Sequence, residues 1–176
     1  MSQLNTIAPF DLLCRYIAQA QERQQIVDDY RNEQESYLAF SAGHGRFLLS
    51  IQDVMEVTIT LTDITPLPFV PKWLLGLSSS RGDVFSVVDF KTFVDSTDTT
   101  KSPKVPSYIF LRGEGTGYVL KVDEVWGSRA CDLSDEIPSP RGECAWIDGR
   151  AKLGNQIWEH INLGSLVSDA VFIQSH

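Results

Sequence analysis

Residues 36–60 read SYLAFSAGHGRFLLSIQDVMEVTIT, and this stretch decides the fold class because its apolar side chains recur at alternate positions. Leu38 and Phe40 alternate with smaller residues before Gly43-His44-Gly45, and a second alternating run begins at Phe47. Side chains on a β-strand point to opposite faces in turn, so this pattern predicts strands with one apolar face. The glycines between the two runs predict a β-hairpin.

The next run, Val54–Thr60, is rich in β-branched residues and is therefore predicted to be a third strand. In a regular strand, Met55, Val57 and Ile59 would share one face, and Val54, Glu56 and Thr58 the other. A second hairpin is predicted at 107–122, with its turn at Gly113-Glu114-Gly115-Thr116-Gly117. Further strands are predicted at Trp73–Leu77, Val84–Val88 (buried on both faces), Cys144–Ile147 and Gln156–Ile161.

Loops and short helices separate these strands. Thr62–Pro71 holds three prolines and is predicted to be a surface or edge segment, since proline lacks the donor that a central strand needs. Ser78–Gly82 is predicted to be a turn, and the polar stretch Asp95–Pro106 a linker. Short helices are predicted at Phe90–Val94 and, capped by Asn162, from Leu163 to Ser168. Many short strands with glycine and proline between them favour small β-barrels over a βαβ sheet.

Composition excludes several classes of partner. The chain has 176 residues, which suits one domain or two small subdomains, and 15 Lys and Arg against 23 Asp and Glu give a net charge of −8. Such a balance argues against nucleic acid and against a polybasic membrane contact. No apolar stretch approaches the ~20 residues of a membrane span, and no secretory signal is evident. Three distant cysteines without a CxxC pair predict reduced thiols, so we expect a cytoplasmic protein.

The sequence offers no catalytic or metal-binding constellation. The histidines, His44, His160 and His176, do not have the spacing of metal ligands. The glycines of 113–117 lie between two predicted strands, whereas a phosphate loop precedes a helix. Ser78, Ser79 and Ser80 do not have the spacing of a nucleophile elbow. We therefore expect neither an enzyme nor a cofactor.

An ordered set of motifs resembles the CheW family of chemotaxis coupling proteins. The set spans roughly 36–168, and it comprises Tyr37–Phe40, Arg46–Ile51, Val54-Met55-Glu56-Val57, Pro66-Leu67-Pro68, Trp73–Gly76, Arg81-Gly82, Val87-Val88-Asp89-Phe90, Tyr108–Leu111, Tyr118–Trp126 and Cys144–Val167. The resemblance implies two SH3-like five-stranded β-barrel subdomains. It also implies a non-catalytic adaptor that joins the regulatory domain of a CheA-type histidine kinase to the cytoplasmic tip of a methyl-accepting chemoreceptor.

By motif match, the resemblance implies a receptor contact that includes Val54, Glu56, Val57, Gly76 and Arg81. Arg81 would donate to carboxylates or helix-end carbonyls, and Gly76 would allow close approach. Of Val54 and Val57, we expect Val54, beside Glu56, to be the exposed one. The kinase contact would be an apolar joint between barrels, without assigned residues. The sequence departs from the family at Ser86, where proline is usual, and at Ser79 and Ser80, where an Asn-Leu or similar pair is common.

The N-terminal residues extend beyond the minimal family. We expect an N-terminal helical extension at 1–35, a CheW-like domain at 36–170 with its linker near 95–106, and a tail at 171–176. The predicted helix, Pro9–Val27, would either pack on its own domain or dock another protein. Its Pro9-Phe10-Asp11-Leu12-Leu13 start resembles the coupling protein of type IV pilus (twitching motility) systems. The alternatives are an SH3-like peptide adaptor outside chemotaxis and, less favoured, a ligand-sensing or catalytic β-barrel.

Overall fold

A computed structural model describes residues 35–97, 105–112, 117–140, 142 and 144–173. Residues 36–176 form a compact unit separate from 1–35, and the fold below is that of residues 36–173. The helix predicted at Pro9–Val27 lies outside the described residues, as do most of the 113–117 turn and the centre of the 95–106 linker. None of the helices in the described residues is long and apolar enough to cross a membrane.

Ten strands and three short helices follow one another in the described residues. The strands are β1 (Ser36–Ala42), β2 (Gly45–Ser50), β3 (Val54–Thr58), β4 (Leu74–Ser80), β5 (Asp83–Asp89), β6 (Ser107–Leu111), β7 (Gly117–Val122), β8 (Glu124–Ala130), β9 (Ile147–Leu153) and β10 (Gln156–Ile161). The helices are α1 (Phe90–Val94), α2 (Leu163–Val167) and α3 (Ala170–Ile173). A 3-10 turn at Ile51–Asp53 joins β2 to β3.

The strands form two five-stranded sheets. The first sheet has the order β8-β1-β2-β10-β9, and the second has the order β3-β6-β7-β5-β4. Both predicted hairpins are confirmed, since β1 pairs antiparallel with β2 and β6 with β7. Each sheet also contains one parallel pair, β2 with β10 and β5 with β7. The mainly β fold class is therefore confirmed.

The chain enters the first sheet twice, once before and once after the linker predicted at 95–106. β1 and β2 join β8–β10 in the first sheet, while β3–β7 form the second. The linker that begins at Asp95 connects α1 to β6, so it lies between elements of the second sheet. It does not separate the two sheets. Pairing between strands that are distant in the chain decides which sheet each strand joins, and local composition does not reveal that pairing.

Three strand predictions are wrong in detail. β4 continues through Ser80, so the serines belong to a strand and the turn is only Arg81-Gly82. Val84 on β5 is 53% exposed, although Phe85–Val88 are buried as expected. β9 begins at Ile147 and not at Cys144, and both Cys144 and Trp146 before it pack against the main core without strand pairing.

The main core lies where the two sheets and α1 meet. Phe40 and Phe47 from the first sheet contact Phe90 of α1, with ring centroids 5.8 and 5.1 Å apart. The Asp89 side chain accepts a hydrogen bond from the Thr92 amide, which caps α1 and fixes Phe90 beneath the sheets. Full burial of each such aromatic side chain stabilises the fold by about 1.5–3 kcal/mol. This core holds both sheets in one unit.

Candidate functional site

Arg81 lies in a two-residue turn between β4 and β5. Ser80 pairs with Asp83, and the backbone φ is +54° at Arg81 and +91° at Gly82. Positive φ at both central residues defines the turn that matches the twist of a hairpin, and Asn-Gly or Gly-Gly adopt it with least strain. Arginine at the first of these positions costs on the order of 1–2 kcal/mol. The turn presents a side chain that is 79% exposed.

Arg81 makes an ion pair with Glu56 of β3. Its Nη2 atom lies 2.8 Å from Oε2 of Glu56. β3 and β4 are the two edge strands of the second sheet, at opposite ends of its hydrogen-bonded order. The second sheet must therefore curve until its two edges meet. Because both side chains remain partly exposed, the pair stabilises the fold by no more than about 1 kcal/mol.

A β-bulge changes which side chains of β3 share a face. Val54 lies opposite Leu111, whereas Glu56 lies opposite Phe110, so two steps on β3 match one on β6. Leu111 belongs to the main core and Phe110 to a separate cluster, which places Val54 and Glu56 on opposite faces. Val57 lies opposite Ile109, also a main-core residue.

The expectation that Val54 is the exposed valine is therefore wrong. Val54 packs against the main core, and Val57 is 40% exposed. The bulge gives both valines the same facing, although a regular strand would have separated them. The predicted division of β3 into one face with Met55, Val57 and Ile59 and another with Val54, Glu56 and Thr58 is therefore wrong, although Met55, Val57 and Ile59 are all exposed.

Gly76 permits close approach, but within the protein. Its φ is +138°, and a Cβ atom at this position would lie 2.1 Å from the carbonyl oxygen of Thr65. The Thr65 amide donates to the Leu77 carbonyl at 2.7 Å, and the Leu77 amide donates to the Thr65 carbonyl at 2.9 Å. The proline-bearing segment thus covers the free edge of β4. Gly76 is buried beneath that segment and is not available to a partner.

We use the name β3 surface for the exposed and half-exposed side chains of β3, of Ile59 just after it and of the β4–β5 hairpin. It comprises Met55, Glu56, Val57, Ile59, Arg81 and Val84. Met55 and Val84 line the same shallow cavity of about 430 Å³. The structure thus brings Glu56 and Arg81 together and leaves Val57 exposed, whereas Val54 packs against the main core and Gly76 is buried. Sequence reasoning missed Val84, because the almost wholly apolar run Val84–Val88 indicated burial on both faces.

Elsewhere, the described residues contain a polar cluster at the end of β10. Asp148 accepts hydrogen bonds from Asn162 Nδ2 and contacts His160 Nδ1. Partial burial raises the pKa of the Asp148 carboxyl, but the hydrogen bonds from Asn162 and His160 outweigh it, so the pKa lies below its ordinary value. Burial and the neighbouring Asp132 carboxylate raise the pKa of the Cys131 thiol above its ordinary value. Within the described residues, no group of three His, Cys, Asp or Glu side chains could hold a metal ion.

Comparison with known proteins gives the family. Residues 36–171 match the CheW-like domain. The chain is 30% identical to Protein FrzA of Myxococcus xanthus over 112 residues. This alignment covers 64% of this chain and 68% of that protein. Its fold matches the crystal structure of the scaffolding protein TtCheW from Thermoanaerobacter tengcongensis with a TM-score of 0.64 and 24% identity, covering 74% of this chain and 90% of that chain. The chain therefore belongs to the CheW-like domain family, a family of non-catalytic scaffolds that couple receptors to CheA kinase.

Proposed function

We propose that this protein couples the cytoplasmic tip of a methyl-accepting chemoreceptor to the regulatory domain of a CheA-type histidine kinase. The observation that supports this most strongly is the β3 surface, where a strained turn presents Arg81 among exposed apolar side chains. Family membership supplies the classes of partner. The protein works without a cofactor and does not bind nucleic acid.

The receptor contact is proposed at the β3 surface. Receptor tips are helical hairpins, and a helix that docks on another protein presents an apolar face. Met55, Val57 and Val84 supply matching apolar contacts from β3 and β5. Arg81 adds directional donors for carboxylates or helix-end carbonyls at the rim of that contact.

Backbone strain at Arg81 supports a binding role for its side chain. Asparagine or glycine would adopt the φ of +54° at lower cost, so stability alone does not favour arginine at this position. Strained residues persist at sites where function requires them. Glu56 orients the guanidinium in the free protein through a single contact. The remaining donors of the guanidinium are then directed to the receptor.

Val54 and Gly76 support this surface from within. Val54 packs against the main core, so it fixes the start of β3 next to the bulge. Gly76 lets the Thr65 segment pair with β4, which keeps the β4–β5 hairpin against Glu56. Substitutions at either position are therefore proposed to weaken receptor binding indirectly, by moving β3 or Arg81.

The kinase contact is proposed as an apolar joint between β-barrels, without assigned residues. The adaptor would bind its two partners on separate surfaces. A partner that binds one signalling state of the array more tightly than the other shifts the population toward that state, and in this way the adaptor would transmit the state of the receptor to the kinase. The adaptor would act in the cytoplasm, recruited to the inner face of the membrane through receptor arrays.

The pathway output is proposed to be type IV pilus twitching motility. This rests only on the Pro9-Phe10-Asp11-Leu12-Leu13 segment, which resembles the coupling proteins of pilus systems. Deletion of the gene should abolish directed twitching and leave swimming intact. Lost swimming with normal twitching would assign the protein to a flagellar pathway.

A bridging assay tests the coupling function. Immobilised receptor tip from the same genome should retain the kinase regulatory domain only when this protein is added. Arg81→Glu should remove the bridge while the adaptor–kinase complex survives on a sizing column. Arg129→Glu, an exposed arginine on β8, is the matched control and should bridge normally. If the folded wild-type protein binds neither partner, the coupling function is wrong, and an SH3-like peptide adaptor becomes the better hypothesis.

A further inference from the structure

A second arginine, the half-buried Arg46 of β2, is stacked on tryptophan rings at the outer face of the first sheet. Its guanidinium carbon lies 4.9 Å from the ring centroid of Trp126 and 5.9 Å from that of Trp158. The two indoles meet edge to face at 5.9 Å. β1 lies between β8 and β2, and its Ser41, opposite Arg46, is small enough to let Trp126 reach across. Arg46 is therefore held by rings from two other strands.

A hydrogen bond also restricts the orientation of this guanidinium. Arg46 Nε donates to Gln156 Oε1 at 3.0 Å. Within the described parts of the chain, this is the hydrogen bond that Arg46 makes, so its two terminal amino groups have no acceptor there. A guanidinium held by its Nε atom and by stacking presents its terminal amino groups as a fork, with the geometry that a carboxylate matches.

Arg46 lies in the wall of a cavity of about 680 Å³ between β2, β10 and α1. His44 and Lys91 also line it, and only 8% of Lys91 is exposed. Two carboxylates share the lining, and both have partners of their own. Asp95 accepts from the amide and hydroxyl of Thr97 at 2.8 and 2.6 Å.

The second carboxylate, Glu159, accepts from Ser139 Oγ at 2.8 Å and lies 4.0 Å from Arg150 Nε. Both carboxylates are therefore engaged by groups other than Arg46. The cavity combines a preorganised cationic fork with a buried lysine, and the exposed indole of Trp126 packs on the same guanidinium beside the cavity. Arginine and tryptophan in such a combination are the residue types that dominate the energy of protein interfaces.

We infer that this cavity, which we call the Arg46 cavity, binds a single carboxylate side chain of a partner protein, flanked by apolar residues. The fork matches one carboxylate, and Trp126, which is 40% exposed, offers a face for an apolar neighbour. A polyanion is disfavoured, since the whole chain carries −8. The site lies on the first sheet, so this inference does not depend on the receptor contact proposed for the second sheet.

The test is an NMR titration of the full-length protein that follows the indole N–H of Trp126. The probe is an N-acetylated, C-amidated pentapeptide with one central glutamate between leucines, and its glutamine counterpart is the comparison. The glutamate peptide should give saturable shifts, and the glutamine peptide should bind at least about tenfold more weakly. Equal binding of the two peptides would overturn the inference, as would absence of a saturable shift up to about 20 mM glutamate peptide.

Variants locate the contact. Arg46→Gln should raise the Kd for the glutamate peptide by at least about tenfold, and Arg46→Lys, which keeps the charge but not the fork, by at least about threefold. Arg129→Gln removes the same charge from an exposed arginine of β8 and should leave the Kd within about twofold of wild type. A native-like amide spectrum establishes that each variant is folded. Wild-type affinity in folded Arg46→Gln would overturn the inference.

Discussion

Nη2 of Arg81 lies 2.8 Å from Oε2 of Glu56, and this contact joins the two edges of the second sheet. The side chains come from β3 and from the β4–β5 turn, which are 25 residues apart in the chain (81 − 56). The pair is partly exposed and holds one residue in a strained backbone conformation. Such a pair adds little stability, and its arginine side chain remains 79% exposed.

Removing this ion pair should change stability little. Glu56→Ala and Arg81→Ala should each shift the free energy of unfolding by less than about 1 kcal/mol, because exposed ion pairs contribute at most that much. Urea denaturation followed by tryptophan fluorescence measures this. A loss above about 3 kcal/mol in either variant would mean that the pair is a structural element.

Relief of the strained turn should stabilise the protein. In a Glu56→Gln background, where the ion pair is already absent, Arg81→Asn should raise the free energy of unfolding by about 0.5–1 kcal/mol, since asparagine tolerates positive φ. The same variant should bind receptor tip poorly. If Arg81→Asn brings no gain in urea denaturation, the turn is not strained by arginine.

Gly76→Ala should be severely destabilising. The added Cβ would lie 2.1 Å from the Thr65 carbonyl oxygen at a φ of +138°, so the Thr65–Leu77 pairing must break or move. We expect a loss of about 3 kcal/mol or more. Gly82→Ala is the matched control, because its φ is also positive but no atom lies within 4 Å of the added Cβ. This control should lose about 1 kcal/mol, and equal losses at the two positions would contradict the steric explanation.

Acid should lower the stability of the protein through Asp148 of β9, which contacts His160 and Asn162 at the end of β10. Its pKa in the folded protein lies below the ordinary carboxyl value, so its contribution to stability is present above the unfolded pKa and is lost as the pH falls through the folded pKa. Wild type should therefore lose its advantage over Asp148→Asn below about pH 4. Unfolding curves of both proteins from neutral to acid pH measure this, with Asp132→Asn as a surface control. An advantage that persists at the lowest pH would contradict it.

Local pattern predicted most of the strands, but pairing between distant strands escaped it. The hairpin at Gly43-His44 and the cap at Asn162 depend on adjacent residues, and both were predicted. The bulge beside Met55 depends on the register against β6, which alternation along one strand does not encode. For this reason the sequence indicated the wrong valine as exposed.

At the candidate site, too, the residues could be selected from the sequence, but their contacts depend on parts of the chain that are distant in sequence. Glu56 and Arg81 were selected by resemblance to a family, and their contact needed the curvature of the whole second sheet. Gly76 was selected for close approach, and the approaching backbone is that of Thr65. The stacking of Arg46 on Trp126 had no sequence signal, since the two residues lie on non-adjacent strands with β1 between them.

The most direct test of the central claim is the affinity of the purified protein for the receptor tip, measured by calorimetry for wild type, Arg81→Glu and the control Arg129→Glu. Coupling through the β3 surface predicts that Arg81→Glu weakens receptor binding at least about tenfold, while the control and the affinity for the kinase regulatory domain stay within about twofold of wild type. Unchanged receptor affinity in folded Arg81→Glu would contradict the claim that Arg81 belongs to the receptor contact.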